Sequence, residues 1–143
     1  EVPITEGGDG LEVDAPPRLD ARLPVLVVDD SRDARRALAE VVRSLGIAAV
    51  EAADGAGGLA AAAAGDFQAI LLDLQMPDMT GLQVALQLRR PGDRHEKTFL
   101  ALVSAYNDLD DATLDAVFDA RIDKPAGRKE LMAVLGRAAR ARG

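Results

Sequence analysis

The stretch VLVVDDS at residues 25–31 joins a short apolar run to two adjacent aspartates. Four aliphatic residues in succession, ended by charged ones, are typical of a strand that is buried on both faces. After it, apolar residues recur at helical spacing from Ala34 to Leu45, where Ser31 can cap the start and Gly46 can end the helix. This stretch therefore predicts a buried strand followed by an amphipathic helix.

The rest of the chain repeats this strand-helix unit. In the third helix we expect Leu82, Ala85, Leu86 and Arg89 to share one face. Strands separated by helices pair in parallel through right-handed crossovers, so the pattern predicts an α/β domain with a parallel sheet. Further strands are expected at Ile47–Ala52, Phe67–Asp73, Thr98–Val103 and Arg121–Asp123, and helices from Asp54 to about Ala64 and at Leu82–Arg90, Leu109–Phe118 and Arg128–Arg140.

Composition limits the class of protein. The 143 residues suit one domain, and 48% hydrophobic residues with few aromatics predict an aliphatic core. The absence of cysteine excludes disulfides and thiolate chemistry. A net charge of −7 argues against direct nucleic-acid binding, and no apolar run is long enough for direct membrane insertion. Residues 1–22, with six acids and three prolines, are expected to be a linker or flexible tail.

Polar residues close four of the expected strands. Asp29-Asp30 ends the first strand, Asp73 the third, Ser104 the fourth and Lys124-Pro125 the fifth. In a parallel α/β sheet, sites form just beyond the carboxyl ends of the strands. We therefore expect these side chains to meet at one edge of the sheet.

This set of side chains suits phosphoryl transfer. Clustered carboxylates repel one another, and Mg²⁺, which prefers hard oxygen ligands, relieves that repulsion while offsetting charge on a phosphoryl group. A lysine and a small hydroxyl can hold phosphoryl oxygens, and an aspartate can be the nucleophile that forms an acyl phosphate. The sequence thus indicates a Mg²⁺-dependent phosphoryl-accepting site.

The chain resembles the receiver domain of two-component response regulators. The matching segments are residues 25–31, LLDLQMPDMTG at residues 71–81, Ser104-Ala105 and Asp123-Lys124-Pro125, of which D-x-x-M-P-x-x-x-G is the most specific. The resemblance implies a flavodoxin-like (βα)5 doubly wound sandwich with a five-stranded parallel sheet in the order 2-1-3-4-5. The receiver domain would span residues 23–143.

The resemblance also implies roles for the acidic residues. Asp73 would be the phosphorylated aspartate. Asp29, Asp30 and Asp73 would hold Mg²⁺, and of the first two we expect Asp30 to be the direct ligand. The backbone carbonyl of Gln75 would also reach the metal.

The remaining site residues would contact the phosphoryl group. Ser104 would be the switch hydroxyl, and Lys124 would pair with the phosphate. Pro125 would follow a cis peptide bond that aims the lysine inward. The phosphoryl group would come from a histidine kinase or a histidine phosphotransfer protein, and the domain would catalyse only its own phosphorylation and slow dephosphorylation.

Two residues depart from the usual receiver pattern. Arg121 stands where receivers carry an aromatic residue, and Ala126 follows the Lys-Pro pair where phenylalanine is common. Tyr106, two residues after Ser104, could substitute for the missing aromatic residue. We expect the phosphorylation chemistry to be kept and its readout to be altered.

Two cellular contexts are open. The domain could be a stand-alone cytoplasmic receiver, or the C-terminal receiver of a hybrid histidine kinase with residues 1–22 as the linker behind the kinase. A homodimer is a possible assembly. The trio His95-Glu96-Lys97 is similar to a kinase phosphohistidine box, but that box requires a helix of a dimeric bundle, so we expect no such role for it.

Two alternative functions remain open at this point. A degenerate receiver would bind partners without phosphorylation, yet none of the acids, the acceptor or the lysine is missing. A haloacid-dehalogenase-like phosphohydrolase would carry D-x-D after the first strand, whereas this chain has Asp29-Asp30-Ser31.

Overall fold

The structure, a computed structural model, describes residues 19–105 and 111–142. All pairs of neighbouring strands are parallel, and the sheet order is β2-β1-β3-β4-β5. This confirms the expected doubly wound α/β fold. Along the chain the elements are β1 (Val25–Val28), α1 (Arg32–Ser44), β2 (Ala49–Ala52), α2 (Gly55–Ala64), β3 (Ala69–Asp73), α3 (Gly81–Leu88), β4 (Phe99–Ser104), α4 (Asp111–Val117), β5 (Ala120–Asp123) and α5 (Arg128–Arg142).

The central strands are buried on both faces, as their unbroken apolar runs predict. All residues of β1, β3 and β4 are buried. Since side chains alternate across a strand, Val25 and Val27 pack on the side of α1 and α5, and Leu26 and Val28 on the side of α2, α3 and α4. Each fully buried aliphatic side chain stabilises the fold by about 1.5–3 kcal/mol, so these strands form a rigid base for the site.

The ends of α1 follow the expected capping chemistry. The Ser31 hydroxyl accepts a hydrogen bond from the Ala34 backbone N–H at 3.3 Å. The helix ends at Ser44, and Gly46 adopts φ 83°, the left-handed conformation that glycine tolerates best. Both expectations for this helix are confirmed.

The face of α3 that packs on the sheet is not the one that carries Leu86. Leu86 is 51% exposed, whereas Val84, Ala85 and Leu88 are buried together with Gly81. Apolar residues occur on both sides of this eight-residue helix, and the stripe at i, i+3, i+4 and i+7 from Gly81 is the one that faces the sheet.

The segment before β1 contacts the domain where it is described. The Asp20 N–H donates to Gln68 Oε1 at 3.2 Å, and Gln68 Nε2 donates to the carbonyls of Asp20, at 2.7 Å, and Leu23. Leu19 packs against the core. Residues 1–18 of the expected tail lie outside the described residues, as do the first residues expected in α4, so the domain boundary at residue 22 stays a prediction. None of the described helices has the length and apolar character of a membrane span.

Candidate functional site: an acidic pocket at the carboxyl edge of the sheet

The strand register brings the candidate site residues together. Val28 of β1 pairs with Leu72 of β3, so the next residues, Asp29 and Asp73, leave neighbouring strands side by side. On the other side of β3, Asp73 pairs with Val103, which precedes Ser104. Ser104 in turn pairs with Asp123, the residue before Lys124. The expectation that these side chains share one edge therefore follows from the parallel register.

Three carboxylates form the acidic part of this pocket. Asp29 is 1% exposed and Asp73 is 6% exposed, whereas Asp30 lies open to solvent. One carboxylate oxygen from each of the three lies within 4.8 Å of the others. Two buried acids and one accessible acid at this spacing can converge on a single small cation.

Lys124 lies between the two buried acids. Its Nζ is 2.8 Å from Asp29 Oδ2 and 3.3 Å from Asp73 Oδ1. Burial acts to lower the pKa of Lys124, but the Asp29 and Asp73 carboxylates outweigh it and raise that pKa above its usual value. The lysine is therefore fully charged at neutral pH. The Lys124–Pro125 peptide bond is cis, as the resemblance implied.

The surroundings of Asp73 destabilise its ionised carboxylate. Burial is the largest cause that raises its pKa, to about 6 from 3.8, and the negative charge of Asp29 adds to it. The charge of Lys124 acts in the opposite direction without cancelling the rise. One lysine is thus insufficient to neutralise this pocket.

The pocket has the donor set and the free lone pairs that a hard divalent cation requires. Asp29 Oδ1 accepts a hydrogen bond from the Ser31 N–H at 2.9 Å. Asp29 Oδ2 is buried and lies 2.8 Å from Lys124 Nζ, and apart from this ion pair it has no hydrogen-bond partner among the described residues. Buried carboxylate oxygens with unused lone pairs suit Mg²⁺, which binds one or a few carboxylates and keeps several waters. The residues present therefore fit the ion.

Ser104 and Gln75 also lie at the carboxyl edge of the sheet, near the pocket. Ser104 is buried at the end of β4, and its carbonyl accepts from the Lys124 N–H at 3.0 Å. Gln75 is exposed and lies two residues after the end of β3, in the loop that leaves the pocket. The metal role of its carbonyl stays a prediction, as does the switch role of Ser104. Tyr106 lies outside the described residues.

Arg121 contacts α4 rather than the pocket. Its guanidinium donates to Asp111 Oδ1 at 2.8 Å and lies 3.8 Å from Asp115. The hydrogen bond to Asp111 raises the pKa of Arg121. The residue that replaces the usual aromatic side chain thus joins β5 to α4 through exposed ion pairs.

Glycine at position 81 has a steric reason that the motif alone did not reveal. A Cβ placed on Gly81 would lie 2.2 Å from the Asp73 carbonyl oxygen. The Gly81 N–H donates to the Leu74 carbonyl at 2.7 Å. The first turn of α3 therefore packs directly against the backbone that carries Asp73.

Asp78 anchors the loop between β3 and α3. Its two carboxylate oxygens accept hydrogen bonds from the Gly55 and Ala56 N–H groups at the start of α2, both at 2.9 Å. These bonds hold the pKa of Asp78 below its usual value. Asp54 caps the same helix through the Gly57 N–H.

His95 has a structural position far from this pocket. It is 1% exposed, and its Nε2 lies 2.7 Å from the Ala62 carbonyl and 3.1 Å from that of Gly65. Its Nδ1 lies 3.0 Å from the Thr98 hydroxyl. It therefore joins the loop before β4 to the end of α2, and it lies in no helical bundle.

A doubly wound α/β domain with an acidic pocket and a lysine at the carboxyl edge of its sheet defines the class of two-component signalling receivers. The chain belongs to this family, because residues 25–136 match the model described as the response regulator receiver domain. Receiver domains of this family interact with histidine kinases.

Individual relatives agree with the family. The chain is 35% identical to the sensor histidine kinase AtsR of Burkholderia thailandensis, over 95% of this chain and 23% of that protein. It is 36% identical to the transcriptional regulatory protein KdpE of Mycobacterium tuberculosis, over 81% of this chain and 50% of that protein. The chain thus spans half or less of these relatives. Among solved structures, the response regulator TrrA of Thermotoga maritima, in complex with Mg²⁺-BeF, superposes with TM-score 0.72 at 26% identity, covering 81% of this chain and 98% of that one.

Proposed function

We propose that this receiver domain accepts a phosphoryl group on Asp73 in a Mg²⁺-dependent reaction. The observation that carries the proposal is the single pocket in which the Asp73 carboxylate lies beside Asp29, Asp30 and Lys124. The crystal structure of TrrA, a relative with the same fold, was determined with Mg²⁺-BeF. Asp29, Asp30 and Asp73 would hold the ion, together with the backbone carbonyl of Gln75. When bound, Mg²⁺ supplies positive charge that neutralises the phosphoryl oxygens during transfer.

The chemical step is a displacement at phosphorus. A carboxylate oxygen of Asp73 forms a bond to the phosphorus of a phosphohistidine, and the P–N bond breaks with its electron pair returning to the imidazole nitrogen. The product is an acyl phosphate on Asp73. Lys124 supplies a fixed positive charge beside the oxygens that gain charge, and the Ser104 hydroxyl donates to one of them. Attack by water on the acyl phosphate completes slow dephosphorylation.

The proposed donor is a histidine kinase or a histidine phosphotransfer protein in the cytoplasm. The match to AtsR extends over 95% of the chain, which is more than the receiver domain alone, whereas the match to KdpE covers 81%. This difference favours a hybrid histidine kinase over a stand-alone regulator as the parent protein, and in that context the parent would be the enzyme.

Acetyl phosphate with Mg²⁺ tests the proposed activity. We expect a stoichiometric gain of about 80 Da, one phosphoryl group, which decays slowly and is lost when EDTA is added before acetyl phosphate. An unmodified domain under these conditions would support a degenerate receiver instead. Multiple turnover of small phosphate esters would support a phosphohydrolase.

A further inference from the structure

Arg35 of α1 lies directly behind the acidic pocket. Its side chain is 16% exposed, and its Nη1 donates a hydrogen bond to the Asp29 backbone carbonyl at 3.0 Å. Its Nε donates to Glu51 Oε1 on β2 at 3.1 Å. The guanidinium therefore bridges the edge strand and the backbone of a proposed metal-binding residue.

Glu51 is itself held from two sides. Its second carboxylate oxygen accepts from Arg43 Nη2 at 3.1 Å. Burial acts to raise the pKa of Glu51, but the two arginines overcome it and lower that pKa. The carboxylate is therefore ionised at neutral pH and fixes the orientation of the Arg35 fork.

The carbonyl that Arg35 binds belongs to the peptide between Asp29 and Asp30. Because a peptide unit is planar, the direction of this carbonyl fixes the direction in which the chain enters Asp30. The other bonds of Asp29 act elsewhere: its N–H donates to the Ala52 carbonyl at 3.1 Å, and its carboxylate accepts from Ser31. Arg35 thus fixes the Asp29 carbonyl, which the bonds of the Asp29 N–H and carboxylate do not restrain.

We propose that Arg35 is a positioning residue for the cation site, which sets the direction of the exposed Asp30 relative to the buried Asp29. This inference rests on the proposed function. The guanidinium touches neither the metal nor the phosphoryl group, and it acts through the Asp29–Asp30 peptide. The residue is expected to matter for Mg²⁺ affinity and much less for the transfer step once the ion is bound.

The test is calorimetric Mg²⁺ binding to the full chain together with the Mg²⁺ dependence of phosphorylation by acetyl phosphate. For Arg35→Gln we expect Mg²⁺ affinity to fall about tenfold, the lower end of the loss seen when a residue supporting a metal ligand is removed. The rate at saturating Mg²⁺ should change less than about twofold, since the loss lies in binding. Arg35→Lys should recover part of the affinity, because an ammonium can reach the carbonyl or Glu51 without bridging both.

Arg36→Gln is the matched control. Arg36 is the exposed neighbour of Arg35 on α1, so its variant loses the same charge at almost the same place and should bind Mg²⁺ like wild type. Should Arg35→Gln fold poorly, Glu51→Gln keeps Arg35 and weakens its anchor, and it should shift Mg²⁺ affinity in the same direction by a smaller factor.

Two results would overturn the role of Arg35 alone: wild-type Mg²⁺ affinity in a folded Arg35→Gln variant, or an equal loss in Arg36→Gln. Either could occur while the wild-type domain binds Mg²⁺ and is phosphorylated, which leaves the proposed function intact. A wild-type domain that does neither would refute the proposed function and this inference with it.

Discussion

Replacing Asp73 with asparagine should make the metal-free domain more stable at neutral pH. The substitution keeps the shape of the side chain and removes a charge from a residue that is 6% exposed beside Asp29. In the folded state the pKa of Asp73 is raised from 3.8 to about 6, mainly by burial and by Asp29. At about 1.4 kcal/mol for each unit of pKa, ionised Asp73 lowers the free energy of unfolding by up to about 3 kcal/mol.

The pH dependence has a definite sign. Between pH 3.8 and about 6 the folded protein holds the Asp73 proton and the unfolded chain has lost it, so wild-type stability falls as the pH rises through this window. Ionised Asp73 does not lower the free energy of unfolding below pH 3.8, and it does so fully above about pH 6. Because Asp73→Asn has no such proton, its advantage over wild type should grow from about 1 kcal/mol near pH 4.5 to about 3 kcal/mol near pH 8.

Urea denaturation followed by circular dichroism, in EDTA across this pH range, measures the difference. Asp66→Asn is a suitable control, because Asp66 is 73% exposed and its variant should track wild type at each pH. Saturating Mg²⁺ should reduce the difference in free energy of unfolding between Asp73→Asn and wild type. The ion stabilises the folded protein that binds it, and wild type, which keeps the Asp73 carboxylate, should bind it more tightly. An Asp73→Asn variant that is less stable than wild type near pH 8, or an advantage that is constant with pH, would refute the electrostatic reasoning.

Two further substitutions test the pocket. Lys124→Ala removes the positive charge 2.8 Å from Asp29 and 3.3 Å from Asp73, and we expect it to slow phosphorylation by acetyl phosphate on the order of a hundredfold, measured by intact mass; a rate near wild type would contradict this. Gly81→Ala places a Cβ 2.2 Å from the Asp73 carbonyl oxygen and should lower the free energy of unfolding by about 2 kcal/mol or more, whereas Gly65→Ala, which meets nothing within 4 Å, should change it by less than about 0.5 kcal/mol; equal effects in denaturant titrations would exclude the proposed steric clash.

The fold could be predicted for those segments in which burial requires a simple pattern of apolar residues. The apolar runs of β1 and β3 are buried on both faces. The short length of each run and the polar residues at its ends were therefore enough to indicate a strand. Once these strands were expected to run in parallel, the convergence of Asp29, Asp73 and Lys124 followed from geometry. The buried face of α3 is harder to predict, because that helix is short and apolar on two sides and Leu86 lies on the exposed one.

Contacts between polar residues that are distant in sequence could not be predicted from the sequence. Arg35 and Glu51 look like ordinary solvated charges until the packing of α1 against β2 brings them together behind Asp29. His95 lies in a polar stretch, yet two backbone carbonyls at the end of α2 and the nearby Thr98 hydroxyl satisfy its ring nitrogens and allow it to be buried. Such pairings depend on register and packing, which periodicity does not encode.

Identification of the modified residue tests the central claim most directly. The domain would be treated with acetyl phosphate and Mg²⁺, reduced with borohydride to convert an aspartyl phosphate to homoserine, and sequenced by tandem mass spectrometry. We predict homoserine at position 73 in wild type and none in Asp73→Asn. Modification at another residue, or an unmodified domain that nevertheless binds Mg²⁺, would contradict the assignment of Asp73 as the phosphoryl acceptor.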